Sequence, residues 1–130
     1  MRRSTTQQAV TLAGVLALVA TTVLPLQPVF GEGGARRDVV RQEEQNLQDA
    51  IEHAKIAVFH GQDSDAEALL EHAKDALQHA LKADTDNPHV AEGISHLKEA
   101  IEHGKAGHAD VATKHAETAV MHFSQGKKVI

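Results

Sequence analysis

The chain has 130 residues and an acidic balance, with 18 Asp and Glu against 13 Lys and Arg and a formal net charge of −5 when histidine is neutral. This charge argues against nucleic acid or an anionic membrane as a partner, and it favours cations. The sequence contains no cysteine, which excludes a disulfide framework and thiolate metal sites.

The first 31 residues have the pattern of a secretory signal peptide. A basic start, Met1 to Arg3, precedes an apolar stretch from Ala9 to Leu24, and no acidic residue occurs before Glu32. We predict cleavage between residues 31 and 35, a mature domain over residues 32–130, a periplasmic or otherwise secreted location, and no membrane contact after cleavage. The alternative is an uncleaved membrane anchor, although the apolar stretch is at the short end for a span.

Four amphipathic helices are predicted in the rest of the chain. Apolar residues three and four positions apart form stripes from Leu47 to Val58, Ala66 to Ala80, Val90 to Ile101 and Val111 to Phe123. The connections between the stripes are short. The pattern therefore predicts an all-α fold, an up-down-up-down four-helix bundle. Phe59 and Phe123, the only aromatic residues after the signal segment, are predicted to lie in its core.

Capping signals mark the predicted helix boundaries. Gly61 can end the first helix, and Ser64–Glu67 has the pattern of a capping box for the second. Asn87–Pro88 is typical of the N-cap and first position of the third helix. Gly104 and Gly107 are predicted to bracket the turn between the third and fourth helices.

The chain has ten histidines, and within each predicted helix they recur at intervals of seven residues. They are His53, His60, His72, His79, His89, His96, His103, His108, His115 and His122. Seven residues are about two helical turns, so each set lies on one helix face, beside the apolar stripe. An offset of 43 residues maps His53 to His96 and Gly61 to Gly104. This repeat predicts a duplicated helical hairpin. Because the histidines lie beside the apolar stripe and not in it, we predict no buried haem or di-metal centre in the core.

Antiparallel pairing of the helices in each hairpin places polar residues of the two helices at the same height along the helix axes. We call each such pair a rung. Four predicted rungs join two histidines: His53–His72, His89–His122, His96–His115 and His103–His108. Two further rungs join His60 to Asp65 and His79 to Asn46. Rungs on one helix are about 10.5 Å apart, so each rung is predicted to be a separate site.

Carboxylates three or four residues from a histidine can complete such a site. The possible additional ligands of this kind are Asp49, Asp75, Glu92 and Glu99, and Asp65 is a further one as the partner of His60 in its rung. Two imidazoles with a carboxylate and water suit Cu(II), Zn(II) or Ni(II), and the Irving–Williams order favours Cu(II) among them. We predict open, exchangeable sites of modest affinity for divalent ions.

These residues resemble the small metal-binding protein family of bacterial periplasms, known as SmbP. The matching phrases are Ala50–Lys55, Leu70–His79, Ile94–Gly104 and Gly107–Glu117, within a likeness from about Leu47 to Ser124. The resemblance implies a signal peptide, a four-helix bundle, several divalent-ion sites with copper favoured, and a role in buffering or scavenging metal. Family members carry further histidines near the mature termini, so the absence of histidine before His53 and after His122 implies fewer sites or lower affinity.

Catalysis has little support in the sequence. It contains no Glu-x-x-His pair of a di-iron bundle, no His-Glu-x-x-His, no glycine-rich phosphate loop and no nucleophile elbow. We predict a protein that is not an enzyme and that is a monomer. The alternative function is that of a pH-responsive extracytoplasmic helical protein, in which imidazoles that titrate near neutral pH release a partner or loosen the bundle.

Overall fold

The computed structural model describes residues 33–128, so the predicted signal peptide lies outside the described residues. Over this range the chain forms four helices and no strand. The helices are α1 (Gly33–Gln62), α2 (Ala66–Ala80), α3 (Pro88–Lys105) and α4 (Ala109–Gly126). None of these four helices combines the length and the apolar character that crossing a membrane requires.

Each helix packs mainly against two others. The helix α1 packs against α2 and α4, and α3 packs against the same two helices, while α2 and α4 are diagonal and barely touch. Short connections make consecutive helices antiparallel. The predicted all-α, up-down-up-down four-helix bundle is confirmed. The seam between α1 and α2 and the seam between α3 and α4 therefore lie on opposite sides of the bundle.

The core is built mostly from alanine with a few larger side chains. The largest fully buried ones are Phe123, Ile51, Leu69, Leu97 and Val90. Small residues let the helices approach closely, and the ring of Phe123 occupies the space that a Cβ on Gly93 would need. Phe123 is completely buried, as predicted from the sequence.

The prediction that Phe59 lies in the core is wrong, because 60% of this residue is exposed. The buried stripe of α1 passes instead through Ala57 and Gly61. At Gly61 the helix lies directly against neighbouring side chains, and a Cβ there would approach Leu69 Cδ1 to 2.6 Å. Phe59 is two residues from both Ala57 and Gly61, about 200° around the helix from each, so its side chain points outwards.

The turn from α1 to α2 differs from the predicted capping box by one residue. Asp65, not Ser64, is the N-cap of α2, and its Oδ1 accepts a hydrogen bond from Ala68 N at 3.1 Å. Ser64 has a φ of 62°, and Asp65 N donates to His60 O at 2.8 Å. This is a Schellman ending, with Ser64 in the left-handed position that glycine usually occupies. Gly61 lies inside α1 and does not end it.

The turn from α3 to α4 has the same hydrogen bonds. His108 N donates to His103 O at 2.9 Å, and Gly107 N donates to Gly104 O at 3.1 Å. Here the left-handed residue is Gly107, with a φ of 81°, while Gly104 is buried within α3. The N-cap of α3 is Asn87, as predicted, and its side chain accepts from the backbone of the new helix.

The two turns make a reciprocal test of backbone strain. We expect Ser64→Gly to stabilise the fold by roughly 0.5–1 kcal/mol and Gly107→Ser to destabilise it by about 1 kcal/mol, because only glycine adopts a positive φ without steric cost. Urea unfolding followed by circular dichroism measures both changes. A loss of stability in Ser64→Gly would contradict the assignment of the left-handed position.

Candidate metal sites

All ten histidines lie along two seams of the bundle, on the flanks of the helices. Nine of them are half-buried and His108 is exposed. The four histidines of the first hairpin line the seam between α1 and α2, and the six of the second line the seam between α3 and α4. As predicted, none of them lies in the core. Partial burial leaves one side of each ring open to solvent.

Two rungs bring imidazole nitrogens face to face. His53 Nδ1 and His72 Nδ1 lie 3.3 Å apart, and His96 Nδ1 and His115 Nδ1 lie 3.2 Å apart. These two pairs are related by the 43-residue offset, and their geometry is nearly the same. Each pair joins two antiparallel helices of one hairpin.

The other four predicted rungs are also adjacent in the structure. The ring centroids are 6.2 Å apart in His89–His122 and 5.8 Å apart in His103–His108. In the rungs that contain one histidine, His60 Nδ1 lies 3.9 Å from Asp65 Oδ2, and His79 Nδ1 lies 3.4 Å from Asn46 Oδ1. The level positions expected from antiparallel pairing are therefore those that meet.

Three groups combine two histidines with a carboxylate, and we call them triads. In each triad one ligand atom per residue lies within 4.8 Å of the others. The triads are His53/His72/Asp75, His89/His122/Glu92 and His96/His115/Glu99. In each one the carboxylate lies three residues after a histidine of its own helix, and the second histidine lies on the other helix of the seam.

The two triads of the second seam have short contacts between carboxylate and imidazole. Glu99 Oε2 lies 2.8 Å from His115 Nδ1 and 3.5 Å from His96 Nδ1. Glu92 Oε2 lies 2.8 Å from His122 Nδ1. Each glutamate was expected to lie between two histidines of α3, but its shortest contact is with α4 on the far side of the seam.

The remaining two candidate carboxylates each contact a single histidine. Asp49 was expected beside His53 on α1, but its Oδ2 lies 3.8 Å from His79 Nδ1 on α2. Asp65 faces His60 with Oδ2, while its other oxygen caps α2. These two groups thus offer fewer donor atoms than the triads.

The donor atoms fit a divalent transition-metal ion. Nitrogen ligands at about 2.0–2.1 Å in a tetrahedral site are separated by about 3.3 Å. The separation of His53 Nδ1 and His72 Nδ1 has this value, and that of His96 and His115 differs by 0.1 Å. The two nitrogens of each pair can therefore bind one ion with little movement of either helix.

The Nδ1 atoms of His89 and His122 lack the partners that buried polar atoms usually have. Both are covered from solvent and have no hydrogen-bond partner within residues 33–128. The 2.8 Å contact of His122 Nδ1 with Glu92 Oε2 has the distance of an ion pair but not the direction of a hydrogen bond. Covered polar atoms in proteins are nearly always satisfied, and a cation between these groups would satisfy them.

The rings of neighbouring rungs lie closer together than the spacing of about 10.5 Å between rungs on one helix, because the rings of the two helices interleave. His53 stacks on His79 of the next rung at a centroid distance of 5.4 Å, as close as it lies to its level partner His72, at 5.6 Å. The pair His60 and His72 is also 5.4 Å apart, with parallel rings. Along this seam the imidazoles thus form one continuous column, in the order His60, His72, His53, His79.

The second seam carries a longer column of the same kind. Its six rings follow the order His108, His103, His115, His96, His122, His89. Successive centroids are 5.3 to 6.2 Å apart along the whole column. The reason is that helical side chains lean towards the N-terminus of their own helix, and two antiparallel helices therefore lean them in opposite directions.

Asn46 occupies the place in the first seam that His89 has in the second. Its Nδ2 donates to Gln42 O at 2.9 Å, and its Oδ1 faces His79. An amide at this position ends the shorter column with an oxygen donor in place of an imidazole. The first seam therefore contains one triad, whereas the second contains two.

A family model described as small metal-binding protein matches residues 8–126. The chain belongs to the small metal-binding protein family. A search of the curated proteins finds no match. The family and the triads agree on metal ions as the ligand class, and the family is not one of known enzymes. The resemblance noted in the sequence is thereby confirmed.

Proposed function

We propose that the protein buffers divalent transition-metal ions outside the cytoplasm, with Cu(II) preferred. The proposed ligands are foremost the three triads, with the other histidines of the two columns, Asp49 and Asp65 as additional donors. The observation that carries the proposal is the convergence of two imidazole nitrogens and a carboxylate oxygen at ligand spacing, repeated along both seams.

The donor set supports Cu(II) as the preferred ion. Neutral imidazole and carboxylate bind borderline divalent ions, and their affinities rise to Cu(II) in the Irving–Williams order, with Ni(II) and Zn(II) weaker. The chain has no cysteine, and its described part has one methionine, Met121, so the soft ligands that Cu(I) prefers are scarce. We propose Cu(II) as the main ion and Zn(II) or Ni(II) as secondary ones.

The exposure of the sites supports buffering rather than a permanent structural role. The side chains of His122 and His115 remain 23% and 25% exposed, and Glu92 is 57% exposed. Three protein donors leave coordination positions for water, and such open sites exchange their ions. One carboxylate per triad also lowers the charge that a bound dication adds, which reduces repulsion between ions on the same seam.

The proposed setting rests on the sequence of the N-terminal segment. We propose that residues 1–31 direct export and are removed, which leaves residues 32–130 as a monomeric metal-binding domain in the periplasm or outside the cell. An oxidising exterior favours Cu(II) over Cu(I). It also suits a chain without cysteine, because no thiol is exposed to oxidation.

Calorimetric titration of the purified protein tests the proposal. With Cu(II) and Zn(II) added separately at about pH 7.5, we expect several equivalents to bind, with Cu(II) tighter. At about pH 5 we expect few to bind, because protons compete for the imidazoles. Binding of no more than one weak equivalent would overturn the proposal and would favour the pH-responsive alternative.

A further inference from the structure

On the second seam, the imidazole rings of neighbouring triads are no farther apart, between ring centroids, than the two rings within one triad. His96 of one triad stacks on His122 of the next at 5.4 Å, with an interplanar angle of 12°. Within the triads the corresponding distances are 5.5 Å for His96–His115 and 6.2 Å for His89–His122. An ion bound anywhere on this column therefore has an imidazole of the next site beside it.

The rings of the column have room to turn. Side-chain exposure is 44% at His89, 29% at His96 and 25% at His115. The χ2 torsion of histidine is broad, so a half-exposed ring can redirect a nitrogen at low cost. An ion can then exchange one ligand at a time, gaining a nitrogen from the next ring before it loses one from the last.

We propose that each column passes a bound divalent ion between neighbouring sites without releasing it into solvent. This inference rests on the proposed function, and it adds to it an internal transfer path. The transfer changes only ligands: the ion stays divalent, and no electron moves. The path on the second seam runs from His108 at the α3–α4 turn to His89 at the start of α3.

Two physical effects favour transfer over escape. A neighbouring site on the same rigid bundle presents its ligands at a much higher effective concentration than sites on other molecules do. The carboxylates of Glu92 and Glu99 lie along the same seam and hold a cation close to it. The two columns lie on opposite sides of the bundle, so an ion that changes columns must pass through solvent.

Exchange spectroscopy of the purified protein loaded with Zn(II) tests the path. The nitrogen signals of the histidine rings report which sites hold Zn(II) when less than one ion is present per column. The rate at which an excess of chelator removes Zn(II) from the protein measures release into solvent. We expect exchange between sites of the second seam to exceed this release rate about tenfold or more, and exchange between the seams not to exceed it.

A double substitution interrupts the longer column at its centre. His96→Ala with His115→Ala removes the two middle rings and leaves His103/His108 at one end and the His89/His122/Glu92 triad at the other. We expect exchange between these end sites to fall to the release rate. The matched control, His53→Ala with His72→Ala, removes the equivalent pair from the other seam and should leave it unchanged. All four residues are half-buried, and helicity and thermal unfolding check that both variants fold.

Each outcome decides between the two proposals. End-site exchange that is equally fast in both double variants would overturn the transfer path while leaving metal buffering intact. So would exchange on the second seam that is no faster than release. Zn(II) and Cu(II) that fail to bind the wild-type protein at all would overturn the proposed function, and the transfer path with it.

Discussion

Removing one histidine from each triad is expected to abolish most of the thermal stabilisation that Cu(II) gives this protein. The variant is His72→Ala, His115→Ala and His122→Ala. A ligand that binds only the folded state stabilises it by about 2.7 kcal/mol per site at a hundredfold excess over the dissociation constant. In a domain of this size each kcal/mol raises the melting temperature by roughly 4–8 °C, so three sites give a large effect. Thermal unfolding with and without Cu(II) measures it.

The matched control removes the same number of imidazoles from the same two columns but leaves every triad whole. His60→Ala, His103→Ala and His108→Ala should retain most of the Cu(II) shift, because these residues lie outside the three groups of converging donors. A chelator should reverse the shift wherever it occurs. If both triple variants lost the shift equally, the number of histidines and not the triad geometry would determine binding.

Replacing Phe123 with alanine is expected to lower the free energy of unfolding by about 3–5 kcal/mol, the usual cost of the cavity left by a large core side chain. Phe123 is fully buried and fills the space opposite Gly93 between α3 and α4. The core is otherwise mostly alanine, so few neighbouring side chains are long enough to fill that cavity. Urea unfolding followed by circular dichroism gives the value.

Phe59→Ala is the matched control for this substitution. The same side chain is removed, but from a residue that is 60% exposed, and we expect a change within about 0.5 kcal/mol. A comparable loss in the two variants would contradict the outward position of Phe59. It would support the core position that was predicted for Phe59 as an aromatic residue.

The sequence was sufficient for the number of helices and for the level pairs of histidines, although α1 begins at Gly33, well before the predicted stripe at Leu47. The period of the apolar stripe sets which face of each helix is buried, and a hairpin with a short turn has one antiparallel register. Together these rules placed His53 opposite His72 and His96 opposite His115. They depend only on backbone geometry, which the spacing of residues determines directly.

Two predictions that were made from residue type alone, the N-cap of α2 and the core position of Phe59, were wrong. Ser64 and Asp65 are equally good N-cap residues by type, but Ser64 takes the left-handed position of the Schellman ending and Asp65 caps α2. Phe59 was assigned to the core by residue type, but it lies about 200° around the helix from the buried Ala57 and Gly61. In both cases residue type alone led to the wrong position.

The sequence prediction did not include the stacking of histidine rings from neighbouring rungs into continuous columns. The predicted height of each rung along the helix axis depends on Cα positions alone, and these are about 10.5 Å apart for residues seven positions apart. The imidazoles lean towards the N-termini of their own helices, and this brings His53 beside His79 and His96 beside His122. The lean is a general property of helical side chains, so it was available from the sequence once the hairpin was assumed.

Anomalous diffraction at the copper absorption edge, from crystals of the Cu(II)-loaded protein, tests the central claim most directly. We predict peaks on the α1/α2 and α3/α4 seams, each at about 2.0–2.1 Å from imidazole nitrogens of a triad. The strongest should lie between His96 and His115 and between His53 and His72. Peaks confined to the chain termini, or to the seams that carry no histidine, would contradict the account.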